Sequence, residues 1–179
     1  KKGPWKDFFL AIQKELGEDI PIFAEDLGII TPEVEELRDS FYLPGMKILQ
    51  FAFDNTSENH FLPHYYHSNC ICYTGTHDND TTIGWYQKAS EDSKKKCQIY
   101  MNSKSTKEED ICWDFIRTAL GSTAAYAIIP IQDLLCKGSE SRMNTPSVAE
   151  GNWAYRFEDK EINHELAGKL RGITQLYGR

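Results

Sequence analysis

Short apolar runs alternate with helix-patterned stretches along this chain, and each run is followed by acid. "IPIFA" at 20–24 leads into Glu25-Asp26, and "MKILQFAF" at 46–53 leads into Asp54. "CICYTG" at 70–75 leads into Thr76-His77-Asp78, and "AYAIIP" at 125–130 leads through Ile131 and Gln132 to Asp133. Runs this short and this rich in strand formers are expected as strands. The stretches between them carry helix signals. "PWKDFFLAIQKELG" has Pro4 near a helix start, places Phe8, Phe9, Ile12 and Leu16 at helical spacing, and stops at Gly17. "TPEVEELRDSF" offers Thr31 as an N-cap, Pro32 at the first helical position and acids in the first turn. Residues 91–101 and 107–120 also read as helices, as does 161–177, with Leu166, Leu170, Ile173 and Leu176 on one stripe.

Strands that alternate with helices imply an α/β fold with a parallel sheet. An open doubly wound sheet and a β/α barrel compete. A glycine fingerprint of the dinucleotide or P-loop type would favour the open sheet, and none is present. Polar groups at the carboxyl ends of successive strands are how a barrel assembles an active site, so the barrel is favoured. The length of 179 residues suits one domain, without internal repeats or a linker.

The formal net charge of -7 leaves no basic footprint, which argues against nucleic acid or an anionic membrane as partner. No apolar run approaches the roughly 20 residues that span a bilayer. The chain opens "KKGPWKDFF", without a signal peptide and without Met, as either a processed start or a fragment would. Cys70, Cys72, Cys97, Cys112 and Cys136 are odd in number and show no Cys-x-x-Cys spacing, so neither a disulfide framework nor a zinc site is indicated. They are expected as reduced thiols, mostly packed inside, with Cys70 and Cys72 on one face of a strand. That favours a reducing, cytosolic compartment. His60 and His64 of "HFLPHYYH" are four apart, but Pro63 argues against a helix there and no further ligand completes a metal site.

Glu25 and Asp78 follow different strands, so folding could bring them to one cleft. Paired carboxylates suit glycosyl transfer or hydrolysis, one protonating the departing oxygen and the other attacking or stabilising an oxocarbenium-like sugar. The proton donor needs a raised pKa, for which the apolar "IPIF" and the neighbouring Asp26 make Glu25 a candidate. The competing reading is that Glu25 and Asp26 cap the next turn. His77, between Thr76 and Asp78, could hydrogen-bond a sugar hydroxyl. Trp85, Tyr86, Trp153, Tyr155, Tyr65 and Tyr66 lie near the polar clusters, where their rings would face sugars or else fill the core.

Four stretches in order, "AEDLGIITPEVEELRD", "LPGMKILQFAFD", "YTGTHDNDTTIGW" and "RMNTPSVAEGNW", resemble the amylomaltases, the 4-alpha-glucanotransferases of glycoside hydrolase family 77, and the match runs from about Pro4 to the end. The resemblance implies a (β/α)8 TIM barrel of the alpha-amylase superfamily, of which this chain would cover strands five to eight. It implies a retaining double displacement that moves alpha-1,4-glucan segments between maltooligosaccharides, with starch- or glycogen-derived glucans as substrates and no metal or organic cofactor. Carried over by motif, Glu25 is the general acid/base and Asp78 the transition-state stabiliser. His77 contacts the donor-site sugar, Asn144 of "RMNTP" lines the cleft, and Asp54 and Asn55 fall on the acceptor side.

The family's nucleophilic Asp lies in an Arg-x-Asp-His motif that this chain lacks; its first Asp is Asp7. Residues 1–179 are therefore expected to be the carboxyl-terminal part of one catalytic barrel, inactive when isolated, and marginally folded or self-associating because half a barrel leaves its inner face and two strand edges uncovered. Tyr155 stands where the family often has Trp. The intact "GTHDNDTT" and "RMNTP" fit the compact bacterial or plastid type, located in the cytosol or alternatively a plastid. Another alpha-glucan hydrolase, or a glucan-binding protein without turnover, are the alternatives.

Overall fold

A computed structural model describes residues 3–54 and 59–179. Among them lies a three-stranded parallel sheet, β1 (Gly45–Ile48), β2 (Cys70–Tyr73) and β3 (Tyr126–Ile128), in that spatial order. The register aligns Met46 with Ile71 and Tyr126, Lys47 with Cys72 and Ala127, and Ile48 with Tyr73 and Ile128. Aligned residues of a parallel sheet share a face, so the two-residue period separates two rows. Cys70, Cys72 and Ala127 pack on the helices. Met46, Tyr73 and Ile128 border a cleft at the strand ends.

The helices are α1 (Lys6–Leu16), α2 (Pro32–Ser40), α3 (Thr82–Lys88), α4 (Glu91–Tyr100), α5 (Glu108–Leu120), α6 (Ile131–Leu134) and α7 (His164–Leu176). α5 is the principal cover of the sheet. Its Ile111, Phe115 and Ala119 recur every four residues and are fully buried with Cys72, Phe53 and Cys97. Ile116 and Leu120 project to a second cluster, where Ile173 of α7 docks with Leu170 and Leu134 beside it. The stripe expected on α7 holds at Leu170 and Ile173 but not at Leu176, which is 67% exposed. All five cysteines are free; Cys136 is half-buried and the other four are buried.

Three expected strands differ from what the structure shows. Residues 20–24 form no strand and do not join the sheet; the Ile22 N–H turns back onto the Ile20 carbonyl at 2.8 Å. Pro21 and Pro44 cannot donate, and the segment meets the residue before β1 through the Ala24 N–H to Pro44 carbonyl bond of 2.9 Å. The run 46–53 is a strand only to Ile48 and then winds into a 3₁₀-helix, Leu49–Phe53. Leu49, Ala52 and Phe53 are all fully buried, a helical spacing that no alternating strand could bury on one side. The strand expected at 125–130 stops at Ile128, because Pro130 opens α6. α2 has Thr31 at its N-cap and Pro32 at its first turn, although the Thr31 hydroxyl makes no capping bond. α3 is not among the helices expected from sequence. Thr81 starts it, accepting from the Gly84 N–H at 3.0 Å.

Candidate active site

The carboxyl ends of the strands open into a cleft of about 740 Å³, whose walls include Glu25, His77 and Asp78 together with Phe23, Tyr73 and Ile128. Three of the predicted residues therefore meet, although they come from different segments. Glu25 is placed by its neighbour. Asp26 Oδ2 receives Arg38 Nη1 at 2.5 Å, and its Oδ1 accepts the Met46 N–H at 2.6 Å. Asp26 thus clamps the segment to the open edge of β1, and Glu25, next in the chain, faces the cleft. The Tyr73 phenol is held above its ordinary pKa, first by burial and then by the negative charge of Glu25. Glu25 itself is exposed in this chain, and its neighbour Asp26 is paired with Arg38.

Asp78 sits in a tight turn beyond β2. The Asn79 Oδ1 accepts the Thr76 N–H at 2.9 Å and the Thr76 hydroxyl at 2.8 Å, and the Thr76 carbonyl accepts the Asn79 N–H at 3.2 Å. A strap from residues 142–144 then fixes the carboxylate. Asn144 Nδ2 donates to Asp78 Oδ1 at 2.6 Å, and the Asn144 N–H donates to the His77 carbonyl at 3.0 Å. Arg142 spans the two, with Nη2 on the Asp78 carbonyl at 2.6 Å and Nε on the Asn144 carbonyl at 2.7 Å. The His77 Nε2 stands 3.4 Å from Asp78 Oδ1. Its ring lies against Trp153, with centroids 5.2 Å apart and planes 35° from parallel. Trp153 is 58% exposed and has a left-handed backbone, φ 60°, secured by its N–H on the Met143 carbonyl at 2.7 Å.

The remaining acids are structural. Asp80 is bound by the Lys88 ammonium at 2.6 Å, the Ser139 hydroxyl at 2.8 Å and the Thr81 N–H at 2.9 Å. Burial would raise its pKa; the bonds from Lys88 and Ser139 and the Lys88 charge outweigh that and hold it below the ordinary carboxylate value. Asp133 is 1% exposed and accepts from the Thr74 hydroxyl at 2.5 Å, the Thr82 N–H at 2.7 Å and the Thr82 hydroxyl at 2.8 Å. Burial raises its pKa against those donors. Asp133 ties the end of β2 to the start of α3 rather than lining the cleft. Asp54 does not line it either: its Oδ1 accepts from Asn59 at 2.6 Å and its carbonyl from Lys96 at 2.6 Å. Asn55 lies outside the described residues.

Among the aromatics singled out, Trp85 packs on Phe53 and Phe115, and Tyr66 and Tyr86 are buried in the core. Tyr65 stacks on His64, and the Tyr155 ring is half-buried. Of these six, Trp153 is the one that joins the cluster around Asp78. Among the described residues, no group of three or more His, Cys, Asp or Glu could hold a metal ion. No helix among them is long and apolar enough to cross a membrane.

The family profile described as 4-alpha-glucanotransferase, glycoside hydrolase family 77, matches residues 1–162. The chain belongs to this family. It is similar to the 4-alpha-glucanotransferase of Synechocystis, with 53% identity over 99% of the chain and 35% of that protein. It is similar to the Thermus thermophilus 4-alpha-glucanotransferase, with 47% identity over 99% of the chain and 36% of that protein. Among solved structures, the Streptococcus agalactiae amylomaltase in complex with acarbose superposes with a TM-score of 0.92 at 35% identity, over 100% of the chain and 36% of that protein. The chain thus spans about a third of the length of these relatives. In this member of the 4-alpha-glucanotransferase family, Arg142 is the residue that sequence reasoning passed over. It stands inside "RMNTP", but an isolated Arg gives no signal of which carbonyls it will reach.

Proposed function

We propose that this chain is the carboxyl-terminal part of the catalytic barrel of a 4-alpha-glucanotransferase, covering strands five to eight, and that it carries the acid/base half of the site. The observation that supports this most directly is the convergence of Glu25, His77 and Asp78 on one cleft, with Asp78 strapped by Asn144 and Arg142. Glu25 protonates the departing glycosidic oxygen of an alpha-1,4-glucan. A nucleophilic Asp, contributed from outside these residues, takes the donor segment as a covalent glycosyl-enzyme. Glu25, now a base, removes the proton of the acceptor sugar's hydroxyl as that hydroxyl attacks, so the anomeric configuration is retained. Asp78 stabilises the positive charge that develops on the sugar ring, which is why its position is fixed by hydrogen bonds and not left to solvent. His77 contacts the donor sugar and Trp153 offers a ring face to it. Asp54 and Asn55 are assigned to the acceptor side on motif alone. The rest of the barrel would close over Glu25. The substrates are maltooligosaccharides and glucans derived from starch or glycogen, in the cytosol or a plastid.

Full-length protein incubated with maltotriose is expected to give a ladder of longer maltodextrins, and Glu25→Gln or Asp78→Asn to abolish it. Reducing sugar without longer products would identify a hydrolase instead. The isolated 179-residue segment is expected to release no glucose from maltotriose, and measurable release would refute the assignment of the nucleophile elsewhere.

A further inference from the structure

The geometry points to a second reactive site remote from the cleft: Cys112 and Cys136 are a hydroperoxide-responsive dithiol that closes to a disulfide between α5 and the loop leading to Arg142. Both residues converge on one carbonyl. The Cys112 Sγ donates to the Asp133 carbonyl at 3.1 Å, and the Cys136 N–H donates to the same oxygen at 3.1 Å. Each sulfur shifts the titration of the other, Cys112 upward and Cys136 downward. Lys169 of α7 sits 3.7 Å above the Trp113 ring, so an ammonium is held beside the pair. Cys136 is half-buried with a left-handed backbone, φ 50°, whereas Cys112 is fully buried behind it.

The environments of the two sulfurs are unequal in a useful direction. The neighbouring Cys112 lowers the Cys136 pKa, and the Lys169 charge adds to this against the effect of burial. The Cys112 thiol is correspondingly raised, by its neighbour Cys136 and by burial. Cys72 and Cys97 are pushed up by burial to about 12 and are poor nucleophiles. The half-exposed Cys136 is therefore the attacking sulfur and Cys112 the resolving one. The Cys136 thiolate attacks the outer oxygen of a hydroperoxide, giving the sulfenic acid and releasing hydroxide or alkoxide. The Cys112 sulfur then attacks the Cys136 sulfur, loses its proton, and expels the sulfenic oxygen as water. Two thiols are oxidised and one peroxide bond is reduced. In the resting protein both are thiols. Closing the bridge restrains the chain that runs from Cys136 to Arg142 and so to Asp78.

The test is a peptide map of the full-length protein, treated with hydrogen peroxide, blocked with N-ethylmaleimide and digested with trypsin without reduction. The expected product is the peptide 108–117 joined to 118–137, lost on dithiothreitol treatment and absent from Cys136→Ser. Recovery of 118–137 with Cys136 blocked or over-oxidised, beside an unlinked 108–117, would overturn the proposal. A second readout does not depend on any variant folding: in native protein, iodoacetamide is expected to label Cys136 well before Cys72 and Cys97. Equal labelling of the three would also overturn it.

Discussion

At the scale of single residues, the site depends on how Asp78 is held. The Asn144 bond to its carboxylate is charge-assisted, a type worth about 1.5–3 kcal/mol. Asn144→Ala in the full-length enzyme is therefore expected to lower the transfer kcat/KM by roughly 10- to 100-fold, measured with maltotriose, without moving the melting temperature appreciably. Trp153→Ala removes the ring against His77 and is expected to raise KM by up to about tenfold with a smaller change in kcat, in line with about 0.5–1.5 kcal/mol for an aromatic pair. Asp80 is a stability residue with a defined pH signature. Its folded pKa lies below the ordinary value of about 3.9. Its contribution is thus complete above that value and is lost as pH falls through the lower, folded one. Urea midpoints of wild type should fall as pH drops from about 5 through this window, and Asp80→Asn should flatten the slope while lowering the midpoint at neutral pH.

At the scale of elements, the sequence disclosed most of the helices and only part of the sheet. α2, α4, α5 and α7 carry their own signals, such as Pro32 at a first turn or the four-residue spacing of Ile111, Phe115 and Ala119, and these are local quantities. Residues 49–53 could not be separated from a strand because an all-apolar run has no readable period; what decided it was which side chains the core would accept. α3 was hidden by Gly84 in its first turn. That glycine has a reason: a Cβ there would strike Ser139 Oγ and Asp80 Oδ1. Gly84→Ala is expected to cost about 1–3 kcal/mol, read as a drop in thermal midpoint, by prising Asp80 from Ser139. Phe115→Ala, at the fully buried centre of α5, is expected to cost about 3–5 kcal/mol in the same measurement. For the site, Glu25, His77 and Asp78 were legible from residue type and strand ends. Asp133 was not separable from them, because its partners Thr74 and Thr82 are distant in sequence.

At the scale of the whole molecule, α5 clads one side of the sheet, whereas the other buries Ile48 and Ile71 but leaves the β3 side chains Tyr126 and Ile128 open. α1 and α2 bury none of their residues, and Phe23, Tyr126 and Ile128 are 49%, 51% and 41% exposed on or beside that second side. Phe23 and Tyr126 pack on each other with centroids 5.3 Å apart. Apolar surface of this kind drives association. The isolated segment is expected to elute above its monomer mass in size-exclusion chromatography and to bind a hydrophobic dye, whereas the full-length protein should do neither. A monomeric, dye-silent segment would show that these residues form a self-sufficient unit.

The strap over Asp78 also has a meaning in time. The bonds from Asn144 and Arg142 join residues 66 and 64 positions apart, whereas the turn at Thr76 and Asn79 closes over three. Contacts between distant positions form after local ones, because the loop between them must first be closed. The turn that presents Asp78 can thus exist early, but the carboxylate acquires its fixed direction only when the chain beyond α6 has been made and has come back across it. A polypeptide arrested before residue 142 would hold most of the helix-clad core and none of the aim.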